Sequence, residues 1–128
     1  MDVLENRTPE ADSSSLIWKL CEAGVVKGSV SVLSFANMVY SMRKDLSPKK
    51  IDSILKRLSM IFSWEDLTQS DLTNAASLCW KDYEDAIQSS VACRIGAEFI
   101  ITRNVKDFNQ SVVPACTPTD YLKKINNN

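Results

Sequence analysis

The sequence predicts an α/β fold, a short parallel sheet with helices on both faces. Three observations predict it. Apolar residues recur at helical spacing in several stretches, and short apolar or β-branched runs separate those stretches. The helical stretches open on Ser, Thr or Asp and two of them close on Gly, the punctuation of real helix ends. The clearest strand, Phe99–Thr102, runs into a polar Arg103-Asn104 turn, while Asp82 opens the helix just before it. In a parallel α/β sheet a helix N-terminus and a strand C-terminus meet at the edge where ligands bind.

Taken in order, Asp2–Asn6 reads as the tail of an element and Arg7-Thr8-Pro9 as a loop. Ser13–Ala23 is a helix with Leu16, Ile17, Leu20 and Cys21 as its stripe, capped by Ser13 or Ser14 and stopped by Gly24. Ser29–Val32 alternates as a strand does. Ser34 caps a helix through Arg43 that carries Phe35, Met38, Val39 and Met42 on one face. Ser47-Pro48 is a cap followed by a proline whose fixed φ suits the first helical position. That helix runs to Leu58 and buries Ile51, Ile54, Leu55 and Leu58. Met60–Trp64 is short enough for a strand. Thr68-x-x-Asp71 is a capping box with Asp in place of Glu, opening a helix with Leu72, Ala75, Ala76 and Cys79 inward. Asp82 caps Tyr83–Ile95, and Gly96 stops it. Phe99–Thr102 is a strand, Val113–Cys116 an extended edge piece, and Thr117-Pro118 starts a last helix to Lys124. Asn126–Asn128 frays.

The chain has 128 residues, the size of one domain that buries a core without staples. Net charge is −1, so no global positive field draws in nucleic acid and any such binding is local. There is no histidine, which excludes a His-based triad, a His general base and His-containing zinc sites. Cys21, Cys79, Cys93 and Cys116 form no C-x-x-C pair and sit among apolar neighbours. They read as reduced core cysteines of a cytoplasmic protein rather than as disulfides or zinc ligands. The N-terminus has no apolar signal core, and the longest uncharged stretch, Gly28–Ser41, is too short and too polar for a bilayer.

The acidic stretch Trp80-Lys81-Asp82-Tyr83-Glu84-Asp85-Ala86 carries the candidate chemistry. Asp82 and Asp85 lie three residues apart on one helix face, about 4.5 Å along the axis. They are either a pair of metal ligands or an N-cap with a first-turn acid that suits the helix dipole. Glu84 points elsewhere on the helix. Asn104 is a weak oxygen ligand or a turn former. Asp107 contacts metal or water, or caps a short turn. Thr102 positions the attacking water or only ends the strand. Arg103 clamps a phosphate or is a surface arginine. Arg43, Lys44, Lys49, Lys50, Lys56 and Arg57 form the most basic region, either a phosphate-binding patch or a solvated helical face broken by Asp45 and Asp52.

Four segments together resemble the PIN domain, the fold of metal-dependent ribonucleases that includes VapC-like toxins. They are Asp82–Ala86, Ala97–Asn104, Val105–Phe108 and Val113–Pro118. The likeness extends more weakly over nearly the whole chain. It implies a three-layer α/β/α domain over 1–128 whose first, central strand and first metal-binding Asp lie upstream of Met1. The strands at Ser29 and Phe99 would then flank the place of that strand. The family's second acidic position falls at Asn37, its third at Asp85, and its fourth in the Asn104–Asp107 turn. The resemblance implies hydrolysis of an RNA phosphodiester with Mg²⁺ or Mn²⁺. Asp85, Asp82 and Asn104 would hold the metal, Asp107 would support catalysis, and Arg103 and Thr102 would contact the substrate. It also implies an antitoxin as a possible protein partner; independently, the Phe35/Met38/Met42 and Leu16/Leu20 stripes exceed what one small sheet needs to cover and predict a homodimer or an intimate complex with a partner. The rival reading is a non-catalytic PIN-like binding module or decayed toxin, because an amide at Asn37 binds a cation less strongly than a carboxylate.

Overall fold

A computed structural model describes residues 9–126, with side chains from residue 12 onward. The readings for Asp2–Asn6, for Arg7 and Thr8, and for the tail at 127–128 fall outside the described residues. Within them the chain forms six α-helices and four short strands. In order these are α1 (Pro9–Glu22), β1 (Ser29–Ser31), α2 (Val32–Met42), α3 (Pro48–Ile61), β2 (Ser63–Glu65), α4 (Gln69–Leu78), α5 (Tyr83–Arg94), β3 (Ile100–Ile101), β4 (Ala115–Cys116) and α6 (Pro118–Asn126). A 3₁₀ turn, Val105–Phe108, lies between β3 and β4. The strands form two parallel pairs, β1 with β2 and β3 with β4. The α/β class and the parallel pairing expected from the sequence are therefore present.

The chain divides into two compact units. The first unit comprises residues up to Lys19 together with Thr68–Asn128; the second is Leu20–Leu67.

In the second unit β1 pairs Ser29 with Ser63 and Ser31 with Glu65, and α2 and α3 form the crossover. Cys21, Phe35, Met42, Ile51 and Leu58 are buried. Phe35 and Met42 are thus spent on packing inside this chain, and Trp64 stacks on Phe35 with ring centroids 3.8 Å apart. Gly28 is required by contact. A Cβ there would come within 2.7 Å of the Phe62 ring and 2.8 Å of Cys21 Sγ.

Two boundaries in this unit differ from the sequence expectation. Helix α2 starts at Val32, not after Ser34, because the Ser31 hydroxyl accepts the Ser34 N–H at 3.2 Å and so supplies the cap three residues earlier. Strand β2 starts at Ser63 because α3 continues through Met60 and Ile61, with Met60 87% exposed on its solvent side. The Ser47 cap and Pro48 start of α3 form as expected.

In the first unit α4 and α5 pack as an antiparallel hairpin. Thr68 and Asp71 form the full capping box: Asp71 N–H donates to Thr68 Oγ1 at 3.1 Å, and Thr68 N–H donates to Asp71 Oδ2 at 2.9 Å. The predicted inner stripe of α4 does not hold. Ala75 is buried, but Leu72, Ala76 and Cys79 are exposed, and the residue that turns inward with Ala75 is Asp71. Its carboxylate meets Arg94 of α5, Nε lying 3.0 Å from Oδ1 and 3.1 Å from Oδ2. Cys79 closes α4 in the left-handed region at φ 55°. Ala86, Ile87, Val91 and Ala92 of α5 line the core with Phe108 and Val113.

All four cysteines are free thiols, as expected, but only Cys21 and Cys116 are buried; Cys79 and Cys93 are exposed, which corrects the reading of all four as core residues. Among the described residues no helix is long and apolar enough to cross a membrane.

Candidate active site

The candidate residues Asp82, Asp85, Thr102, Arg103, Asn104 and Asp107 all belong to the first unit. Helix α5 presents the first two. Asp82 is its N-cap, with Oδ1 accepting the Asp85 N–H at 3.1 Å. Capping satisfies one of the four orphan N–H groups of the helix start and leaves the other Asp82 oxygen available. Asp85 is half-buried, while Asp82 and Glu84 are exposed.

The parallel pair β3–β4 brings the second group. Ile100 N–H donates to the Pro114 carbonyl at 2.9 Å, and Thr102 N–H to the Cys116 carbonyl at 3.0 Å. The chain then turns sharply. Thr102 Oγ1 accepts the Asn104 N–H at 3.1 Å, and the Asn104 carbonyl accepts the Asp107 N–H at 3.0 Å. The Thr102 hydroxyl is therefore used in shaping the turn. Asn104, Arg103 and Asp107 are exposed.

Two contacts hold the segment after β3 to α5 and the residues that lead into it. Trp80, two residues before the Asp82 cap, packs edge-on against Phe108, with centroids 6.0 Å apart and planes at 81°. Ser89 and Ser111 hydroxyls share a hydrogen bond of 2.8 Å. The Tyr83 hydroxyl donates to the Leu72 carbonyl at 2.9 Å and fastens the first turn of α5 to α4. At the far end of the same hairpin the Asp71–Arg94 pair does the corresponding work. The sequence reading saw Asp71 as a cap and did not find Arg94 as its partner. The two lie 23 residues apart, with nothing local to signal the pairing.

The electrostatics of the cluster are legible at Asp85. Partial burial, then the negative charges of Asp82, Asp107 and Glu84, push its carboxyl above the ordinary range. Asp107 and Asp85 are thereby brought within one field. Glu84 adds to it, although the sequence reading had set Glu84 aside.

In the same unit an open cavity of about 350 Å³ is lined by Val105, Ala115, Cys116, Asp120, Lys123 and Lys124. Burial, with Asp120 opposing the effect of Lys124, raises the Cys116 thiol and keeps it protonated at neutral pH. Asn37 stands exposed on α2 in the second unit.

A half-buried carboxylate repelled by other acids beside a strand end defines a site suited to positive charge. Residues 1–106 match the family model for the PIN domain, and the chain belongs to that family. No curated protein and no solved structure matches the chain. PIN domains are in general a nuclease fold that works with divalent metal ions. The residues present fit such an ion in their chemistry: carboxylate and amide oxygens are the donors a hard cation takes, and a cation would relieve the repulsion at Asp85. Among the described residues no group of three or more Cys, Asp or Glu side chains is placed to hold a metal by itself.

Proposed function

We propose that the chain is a metal-dependent endoribonuclease of the VapC toxin type. The observation that carries the reading is the half-buried Asp85, held at a helix start against the charges of Asp82, Asp107 and Glu84. Bound Mg²⁺ or Mn²⁺ supplies a lowered pKa for water and neutralises charge on the phosphate. Asp85 is the principal ligand. Asp82 contributes the oxygen that its cap bond leaves available, and the Asn104 amide oxygen adds a neutral donor. Asp107 deepens the negative field that selects a cation. Thr102 fixes the turn through its bond to the Asn104 N–H, and so positions Asn104 and Arg103. The guanidinium of Arg103 orients an RNA phosphate. Hydrolysis by this route needs no nucleophilic side chain and no histidine, and the chain has no histidine.

A protein antitoxin or a second copy of the chain is the proposed partner. Leu16, 52% exposed on α1, is the apolar residue of the two candidate stripes that stays most open. A second reading is a non-catalytic PIN-like module. It is favoured by Asn37, the amide at the family's second acidic position.

RNA cleavage with Mg²⁺ or Mn²⁺ separates the two. The nuclease reading expects cleavage that EDTA stops and that Asp85→Asn lowers at least a hundredfold, the scale of losing one preorganised charge at a reacting centre. Cleavage that is unchanged in EDTA or in the variant rejects it. Absence of cleavage alongside intact folding favours the binding module.

A further inference from the structure

We propose that the basic face of α3, with the α2–α3 corner, is a binding surface for the backbone of single-stranded RNA. This inference rests on the RNA-directed reading above, and it concerns residues other than those of the carboxylate cluster.

The charge of the chain is unevenly distributed. The whole sequence carries 15 Lys and Arg against 16 Asp and Glu. Between Arg43 and Arg57 there are six basic residues and two acidic ones. All six are exposed. Two positions gather them. The corner turn, closed by Asp45 N–H and Leu46 N–H on the Met42 carbonyl at 3.1 and 2.9 Å, sets Arg43 and Lys44 a few residues from Lys49 and Lys50 at the start of α3. Lys56 and Arg57 then follow Lys49 and Lys50 at seven-residue spacing, two turns along the same side of the helix and about 10 Å further on. The opposite side of α3 is apolar and carries the buried Ile51 and Leu58, so the basic residues are committed to one face.

The neutralising partners are few. Asp52 bridges Lys56 at 2.9 Å, with both side chains mostly exposed. Among the described residues Lys49, Lys50 and Arg57 have no ion pair. A solvated helix of ordinary design intersperses Glu or Asp at four-residue spacing to answer each cation, and here only one is answered. An independent feature at the same corner suits nucleic acid. The Arg43 guanidinium lies 3.9 Å over the Tyr40 ring, and Tyr40 is 61% exposed. The exposed Arg43–Tyr40 stack, beside the other cations, presents a flat guanidinium-and-ring surface on which a base can stack. A polyanion that also presents flat bases is the ligand with both complements.

The test uses the full chain in EDTA, so that no RNA is cut, with a fluorescein-labelled 20-nucleotide oligouridylate as probe. Binding is followed by anisotropy from 50 to 300 mM salt. Each phosphate contact on a single strand contributes about 0.7 to the slope of log affinity against log salt. The triple variant Lys49→Ala, Lys50→Ala, Arg57→Ala is expected to bind at least tenfold more weakly at 50 mM salt, with a slope shallower by about 2. The charge-preserving variant Lys49→Arg, Lys50→Arg, Arg57→Lys should keep the wild-type slope. These side chains are exposed, and a melting curve for each variant verifies the fold. A triple alanine variant with wild-type affinity and slope overturns the proposal while leaving the nuclease reading intact, provided the wild type still cleaves RNA with metal. A wild type that neither binds the probe nor cleaves RNA overturns both.

Discussion

Removing the Asp71 carboxylate should loosen the α4–α5 hairpin that carries Asp82 and Asp85. Asp71 is 2% exposed, and its two oxygens accept Arg94 Nε at 3.0 and 3.1 Å and the Thr68 N–H at 2.9 Å. Burial alone would raise this carboxyl, but Arg94 and the Thr68 hydrogen bonds outweigh burial and hold it below the ordinary range. Hydrogen bonds to a charged group contribute about 1.5–3 kcal/mol each, and breaking a buried pair costs about 3–5 kcal/mol. Arg94 keeps 38% of its side chain in solvent, so it is rehydrated when its partner is lost, and the low end applies. Asp71→Ala should therefore cost about 3 kcal/mol. With an unfolding entropy of about 2.1 cal/mol/K per residue, that lowers Tm by about 11 °C. Asp71→Asn, which keeps the shape and loses the charge, should fall by about half as much. The pH dependence gives a second readout. A folded pKa below the unfolded one contributes stability that is complete above about pH 4 and is lost as pH falls through the folded value. The gap between wild type and Asp71→Ala should thus be widest at neutral pH and narrow in acid. Circular dichroism melts at a series of pH values measure both. A variant that melts within 2 °C of wild type at pH 7, or a gap that persists unchanged in acid, refutes the reasoning.

Other substitutions probe separate features. Gly28→Ala forces a methyl against the Phe62 ring and Cys21 Sγ, and should destabilise by about 1–3 kcal/mol in urea unfolding. Cys79→Gly relieves a left-handed backbone at φ 55° and should stabilise by about 0.5–1 kcal/mol; a loss of stability would show that the Cys79 side chain contributes to packing. Asp85→Asn should stabilise the metal-free protein by about 0.5 kcal/mol, since it removes a like-charge contact in the first turn of α5. Because Asp85 binds its proton more tightly folded than unfolded, its contribution to stability is lost as pH rises from about 4 through the raised value, and the variant should lack that slope in pH-dependent melts.

What could be read from the sequence was mostly local. The caps at Ser47, Thr68, Asp82 and Thr117 and the glycine stops at Gly24 and Gly96 each rest on interactions within a few residues, and each formed. The start of α2 was misplaced because Ser31 and Ser34 both offer a hydroxyl, and only the fold of β1 decides which accepts the N–H. The α4 stripe failed for a different reason. Leu72 and Cys79 fit a helical period, but the space against α5 is taken by Ala75 and by a carboxylate whose partner lies a full helix away. The acidic cluster followed the same division. Asp82 as a cap was visible in a short motif, whereas the field of Asp107 on Asp85 depends on Trp80 meeting Phe108, a contact across 28 residues that no local pattern encodes.

The central claim, that this acidic cluster receives a divalent cation through Asp85, is tested most directly by titrating Mn²⁺ into isotope-labelled protein. Paramagnetic broadening of backbone amide signals reports distance from the ion. The account predicts broadening confined at low Mn²⁺ to 82–86 and 102–107, abolished by Asp85→Asn and reversed by EDTA. Broadening centred elsewhere, or unchanged in Asp85→Asn, contradicts it.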